Sequence, residues 1–327
     1  MVTKRLFGVT KAGFEASAYT ISNDRGIAVT VLDYGATLQS VVLPHRGERV
    51  DVVLGYDTIE EYENNDAYLG ASIGRFAGRI PDAVLRIGER AFPVTPNEHG
   101  NHLHGGTVGF DKRMWNARCA EHSVEFELTS PDGDEGYPGT VRTLASYTLR
   151  EDTLIVRYAG ESDRETAWNP TNHAYWNLNG HAFGDARAHT LEIPADCYVP
   201  VGADMLPAAG ETDVSGTRFD FRTAREIGGA YDHCFVLSGN PIRLFGNRGI
   251  GMEIRTDCKA VQFYTAEYLT ARKGKGGARY SPFGAVCLET QGRQTQCNSS
   301  VAKESILKPS LCSGARKTEF RFLYQED

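Results

Sequence analysis

Apolar and polar residues alternate along much of this chain with the period of half-buried strands. "SVEFELTSP" (Ser123 to Pro131) sets an apolar residue at every second position. "VRTLASYTLREDTLIVRYAGES", beginning at Val141, reads as two strands that turn back on each other at Glu151-Asp152. "GIAVTVLDYGATLQSVVLP" (Gly26 to Pro44) holds two β-rich runs broken at Tyr34-Gly35. Further strands are expected from Thr190 to Pro194, Gly251 to Asp257, Ala260 to Thr265, Ala285 to Thr290 and Glu319 to Tyr324. Helical periodicity is scarce; "DTIEEYENN" (Asp57 to Asn65) predicts about two turns capped by Asp57. Short strands separated by Gly, Pro, Asn and Asp turns give an all-β class, a sandwich or barrel. No Pro/Ser-rich linker and no repeat of fixed period interrupts the pattern, so residues 1–327 are expected to form a single domain. The glycine-dense "RKGKGGARYSP" (Arg272 to Pro282) reads as a mobile surface loop. It lacks Walker spacing, and Arg279 stands where a dinucleotide fingerprint needs its third glycine.

Composition narrows the class. Of 327 residues 41% are hydrophobic and 24% charged, as in an ordinary globular protein. The net charge of -7 speaks against a general nucleic-acid binder, which carries a basic stripe. The first residues show no apolar leader segment, and no stretch reaches the length of a membrane helix. A cytoplasmic protein is expected, with neither nucleic-acid nor membrane contacts. The seven cysteines (Cys119, Cys197, Cys234, Cys258, Cys287, Cys297 and Cys312) are odd in number, irregularly spaced and without a C-x-x-C. They predict reduced thiols, mostly packed as small hydrophobes, and no zinc knuckle.

Candidate chemistry starts at "NPTNHAYWNLNG" (Asn169 to Gly180), where His173 sits among amides and aromatic residues. Buried amides must find hydrogen-bond partners, yet Tyr175 and Trp176 draw the segment inside. Such a strand fits the floor of a site for something polar and ring-shaped. Four clusters resemble it: "GRFAGRI" with Arg75 and Arg79, "NEHGNHLHGG" with His102 and His104, "YDHCFVL" with Asp232, and "VCLETQG" with Glu289. Each has a bland alternative: a solvated arginine, a strand-capping aspartate, a satisfied histidine. His102 and His104 at i and i+2 share a face in an extended segment and could ligate a metal, but "GGTVGF" follows where a cupin-like site needs a carboxylate. A carboxylate such as Glu289, closing an apolar strand, raises the free energy of the fold unless it is paired or used. Taken together, two arginines, several histidines, two carboxylates and two aromatic rings suit a neutral, hydroxyl-rich ligand.

The ordered set "GRFAGRI", "NHLHGG", "DGDEGYPG", "NPTNHAYWNLNG", "YDHCFVL", "VQFYTAEYL" and "CLETQ" resembles the aldose 1-epimerases, or galactose mutarotases. The resemblance runs from about "GYDTIEEY" to "CLETQ". It implies a large β-sandwich, the β-supersandwich, and cofactor-free interconversion of the α and β anomers of an aldohexose such as galactose or glucose. Matched motif by motif, His173 falls on the family's general acid and Glu289 on its general base. Arg79, His104, Asp232 and Gln262 fall on sugar-contacting positions. No metal and no cofactor is implied; the expected partner is a small monosaccharide, and the expected state a monomer or weak homodimer. These assignments imply an ionised Glu289 and a protonated His173, the latter favoured by a carboxylate such as Asp232, with several ångströms and no direct salt bridge between acid and base. The amide-rich strand would fix the tautomer of His173.

The chain departs from the family pattern twice. Gly78 stands where the family usually has Asn, which removes one amide contact to the sugar. "GRQTQCNSS" (Gly292 to Ser300) replaces the family's usual loop after "CLETQ". Two alternatives follow from the residues themselves. A glycosidase would use Asp232 and Glu289 as its two carboxylates. A sugar sensor would keep the pocket without turnover, although a binder has no need of an acid–base pair.

Overall fold

The computed structural model describes residues 1–294, 302–309 and 314–325. The hairpin read at Glu151-Asp152 is present: Val141–Arg150 pairs antiparallel with Thr153–Ser162, Arg150 opposite Thr153. Strands also form at Ala28–Leu32 and Thr37–His45, either side of the Tyr34-Gly35 break. The strand expected at Glu319 is longer, Gly314–Tyr324, and lies between Thr153–Ser162 and Ile250–Thr256.

Three sheets carry the architecture. A nine-stranded sheet has the hairpin and Gly314–Tyr324 at its centre. A six-stranded sheet runs in the order Tyr175–Trp176, Val286–Gln291, Ala260–Tyr264, Asp232–Leu237, Ala195–Val199, Thr212–Asp213. A five-stranded meander is built from Val2–Val9, Glu15–Ser22, Ala28–Leu32, Thr37–His45 and Glu48–Asp51. The core lies between the first two, where Phe235, Phe263, Leu288 and Trp176 join Phe126, Leu154, Phe320 and Phe322 in one buried cluster. At roughly 1.5–3 kcal/mol per fully buried large apolar side chain, this cluster is the main favourable term holding the sheets together.

Several expectations need correction. The strand Val2–Val9 shows no clean alternation because most of its residues are exposed, so the pattern gave no strand there. The helix is only Ile59–Glu63, and its cap is Thr58 rather than Asp57. Thr58 accepts from the Glu61 N–H while Glu61 accepts from the Thr58 N–H, a reciprocal box that outcompetes the neighbouring aspartate. The segment Arg272 to Pro282 is a built hairpin, with Arg272–Lys273 paired to Arg279–Tyr280. Lys275 in its turn is buried, donating to Asp51 Oδ2 at 2.6 Å and to the Gln39 carbonyl at 2.8 Å. Of the cysteines, Cys234 and Cys287 are buried, Cys197 and Cys258 half-buried and Cys119 exposed; these five are free thiols, and Cys297 and Cys312 lie outside the described residues. So does the stretch from Thr295 to Ser300 of the unusual loop. Among the described residues no helix is long and apolar enough to cross a membrane.

Candidate active site

Register assembles the cleft. Gln262 pairs with Glu289 on one side and with Cys234 on the other, and Tyr264 pairs with Cys287 and Asp232. Alternation then puts Asp232, Gln262, Tyr264 and Glu289 on one face, while Phe235, Phe263 and Leu288 point into the core. Tyr175 pairs with Cys287 and joins the cleft face; Trp176 pairs with Val286 and turns inward, its ring 5.2 Å from that of Phe320. The two aromatic residues expected to cover a ligand therefore divide, one to the site and one to the core.

The cleft is a cavity of about 230 Å³ lined by Arg79, His104, His173, Tyr175, Asp232, Gln262 and Glu289. All six residues singled out by the resemblance thus meet in one place. Tyr68, Glu98, Tyr264, Tyr268, Arg272 and Gln294 also line it. Arg272 was hidden in a segment that reads as a loop. Glu98 lies in the histidine motif, but no spacing rule marks a glutamate there as an arginine clamp.

The amides of the opening motif act on the scaffold. The Asn172 side chain donates to the Gly70 carbonyl at 2.8 Å, and that of Asn177 to the Gly184 and Gly284 carbonyls at 2.8 and 2.9 Å. The Asn169 side-chain oxygen Oδ1 accepts from the Gly292 N–H at 2.8 Å. These bonds tie the two-residue strands Thr171–Asn172 and Tyr175–Trp176 to neighbouring loops and fix the backbone around His173, whose N–H and C=O pair with Ala71 and Gly70. They do not fix its tautomer, because His173 Nδ1 has no hydrogen-bond partner among the described residues. Aromatic neighbours orient the ring instead: Tyr175 stacks on it at 5.0 Å, and His104 meets it edge-on at 5.4 Å.

His173 Nε2 lies 3.7 Å from Glu289 Oε1, with both side chains at most 5% exposed. That is ion-pair range, closer than the open separation expected, though too long for a hydrogen bond. Burial moves both groups toward their uncharged forms. His173 is pushed down to about 4, and the Glu289 carboxyl is held well above the usual carboxylate range, with the nearby Asp232 charge adding to the effect. Among these protein neighbours the neutral pair is favoured, the reverse of the charge states the resemblance implies. Asp232 is not the counterion of His173. It accepts from Gln262 Nε2 at 2.6 Å and lies 3.9 Å from the Arg79 guanidinium.

Arg79 is clamped by Glu98 through two bonds of 2.6 and 2.8 Å, which holds its planar fork at the cleft wall. His104 Nδ1 accepts from the Gly78 N–H at 3.1 Å, so the neutral ring carries its proton on Nε2. Gln262 Oε1 is buried without a hydrogen-bond partner among the described residues, so its acceptor capacity is unused by them. The other members of the first two motifs are structural. Arg75, 2% exposed, donates to Ser130 Oγ and to the Ser130, Pro131 and Pro138 carbonyls, so it serves "DGDEGYPG" rather than a ligand. His102 turns away from His104, its Nε2 2.6 Å from the Tyr137 hydroxyl and its Nδ1 2.7 Å from the Thr95 carbonyl. The two histidines do not share a ligating face.

The family model described as "Aldose 1-epimerase" matches residues 17–310. Similar proteins include a human galactose mutarotase, 35% identical over 325 residues and 94% of this chain and 95% of that one. An aldose 1-epimerase of Haemophilus influenzae is 38% identical over 83% of this chain and 85% of its own. Among solved structures, an aldose epimerase homologue from C. elegans superposes with a TM-score of 0.89 at 28% identity, over 95% of this chain and all of that one. A galactose 1-epimerase from Lactobacillus acidophilus gives 0.87 at 28%, over 100% and 99%. With the family match spanning most of the chain and a mutarotase-like β-sandwich beneath the cleft, the protein belongs to the aldose 1-epimerase family.

Proposed function

We propose that the protein is an aldose 1-epimerase, a cofactor-independent isomerase that interconverts the α and β anomers of a free aldohexose such as galactose or glucose. The observation that carries this reading is the buried His173–Glu289 pair, 3.7 Å apart in a cleft also lined by Arg79, His104, Asp232 and Gln262.

Mutarotation needs two proton movements. The anomeric hydroxyl gives up its proton, the C1–O5 bond breaks with its electrons passing to O5, and O5 takes up a proton. The open aldehyde then turns about C1–C2, and the reverse steps close the ring as the other anomer. Glu289 is the base for the hydroxyl and His173 the acid for the ring oxygen. Neutral Glu289 with neutral His173 and carboxylate with imidazolium are tautomers holding the same single proton. Sugar hydroxyls bonding to the carboxylate, with the imidazolium beside it, favour the charged tautomer once the cleft is filled. Groups so placed typically contribute about 10² to 10⁴-fold each. Arg79, His104, Asp232 and Gln262 hold the ring hydroxyls, and the Tyr175 and Tyr264 rings complete the wall.

Residues 1–327 act in this reading as one domain, a cytoplasmic monomer or weak homodimer taking a monosaccharide, with no nucleic-acid or membrane role. The net charge of -7 supports the absence of a nucleic-acid partner. Polarimetry on freshly dissolved α-D-galactose and α-D-glucose tests the function, with aryl glycosides run in parallel. Catalysed decay of rotation without aglycone release is expected. Aglycone release would transfer Asp232 and Glu289 to a glycosidase, and uncatalysed decay with sugar bound would make the protein a sensor.

A further inference from the structure

The cleft contains a side chain that neither the motifs nor the acid–base pair account for. Gln294 lines it, on the stretch following Gln291 that departs from the family pattern. The amide lies directly over Gly78: a Cβ added there would fall 1.9 Å from Nε2, 2.1 Å from Cδ and 2.2 Å from Oε1. Gly78 also has a φ of +91°, where side chains are rarely found. The space a residue at position 78 would claim is therefore filled by a carboxamide from a segment distant in the chain.

Gln294 is held in place. Its Nε2 donates to the Ala77 carbonyl at 3.2 Å. Immediately upstream, Gly292 N–H is fixed on Asn169 Oδ1 at 2.8 Å and the Arg293 guanidinium on Glu304 at 2.9 Å. One of the two amide N–H groups is used on Ala77; among the described residues the other donor and the carbonyl acceptor are bonded to nothing else and can serve a hydroxyl. The neighbours are the sugar-binding candidates: Gly78 itself donates to His104, and Arg79 follows it in the chain.

We propose that Gln294 is a substrate-binding residue, supplying from a segment distant in the chain the hydroxyl-binding amide that glycine at position 78 cannot provide. Gly78 and Gln294 then form a matched pair, since any side chain at 78 would evict the amide. This rests on the epimerase reading for the identity of the ligand. A preorganised amide adds binding rather than proton transfer, so its loss acts on KM and Kd and spares kcat.

The experiment compares wild type with Gln294→Leu, which keeps bulk above Gly78 but has no hydrogen-bonding group, and with Gln294→Ala. Kd for D-galactose is measured by calorimetry, KM and kcat by polarimetry, and both with the monodeoxy galactoses. Both variants are expected to bind galactose about tenfold more weakly, the effect of one lost hydrogen bond to a desolvated ligand, with kcat within about threefold of wild type. One monodeoxy galactose should lose a similar factor on wild type and nothing further on Gln294→Leu, which identifies the contacted hydroxyl. A Gln294→Leu protein with wild-type Kd, or a deoxy series in which no penalty disappears, would make Gln294 a space filler and overturn the proposal. A wild type that binds galactose without accelerating mutarotation would instead overturn the epimerase reading, and the Kd comparison would still decide the role of Gln294.

Discussion

On one face of the six-stranded sheet Phe235, Phe263, Leu288 and Trp176 close against the core; one residue along the same strands, Gln262, Glu289 and Tyr175 face the cleft. The apolar face gains free energy from every side chain it buries. The cleft face holds a carboxyl at 3% exposure and, among the described residues, a histidine nitrogen and an amide oxygen without partners, each of which destabilises the folded chain. The strands can carry the second set because the first over-stabilises them. Stability and function are thus separated by a single step along the chain, and substitutions on the two faces should separate them experimentally.

The largest effect is expected on the cleft face. Glu289→Gln keeps the shape but cannot accept the anomeric proton, so the mutarotation rate should fall by about 10² to 10⁴-fold while galactose still binds. The urea midpoint should not fall, because an amide is easier to bury than a carboxyl. A Glu289→Gln protein that loses stability along with activity would blur the division between the faces. Next comes Phe263→Ala on the opposite face, which should destabilise by about 3–5 kcal/mol in urea. At low temperature the folded fraction should retain its KM; a changed KM with unchanged stability would show that the faces are coupled.

The smallest effect concerns a buried histidine outside the cleft. His189, fully buried, accepts the Leu178 N–H on Nε2 at 3.0 Å, and burial pushes it down to about 4. The unfolded state binds that proton more readily, so this contribution is fully present above about pH 6.5 and is lost as pH falls toward 4. Buried carboxyls such as Asp111, raised to about 7, work in the opposite direction, so the wild-type curve alone mixes the two. His189→Gln keeps an acceptor for Leu178 but does not titrate. Between pH 7.5 and 5 wild type should lose about 1–2 kcal/mol more than this variant. Equal losses would show that His189 does not titrate with folding.

The division of faces also explains what could be read in advance. Period-2 patterns announced Ser123–Ser130 and the hairpin beyond Val141 because strand and turn are local. The six residues of the resemblance converge as implied, since each sits in a short stretch whose neighbours specify it. What lies beyond the sequence depends on partners distant in the chain. Arg75 and Arg79 are four residues apart in one motif, yet Arg75 meets Ser130 and Pro131 while Arg79 meets Glu98. Tyr175 and Trp176 part only when paired with Cys287 and Val286. The charge states of His173 and Glu289 follow from burial, which no motif encodes. Arg272 carries no motif signal because the glycines around it read as a loop, whereas Lys275 and Asp51 pin the hairpin to the sheet.

The central claim is that His173 and Glu289 act as one proton-transferring unit. Polarimetric mutarotation of α-D-galactose by His173→Asn, Glu289→Gln and the double variant tests it most directly, with galactose affinity measured for each. Each single variant should fall by orders of magnitude with binding retained, and the double variant should fall little further than the worse single one, because the second group has no role once the first is gone. Losses that multiply in the double variant, or near-wild-type turnover by Glu289→Gln, would contradict the account.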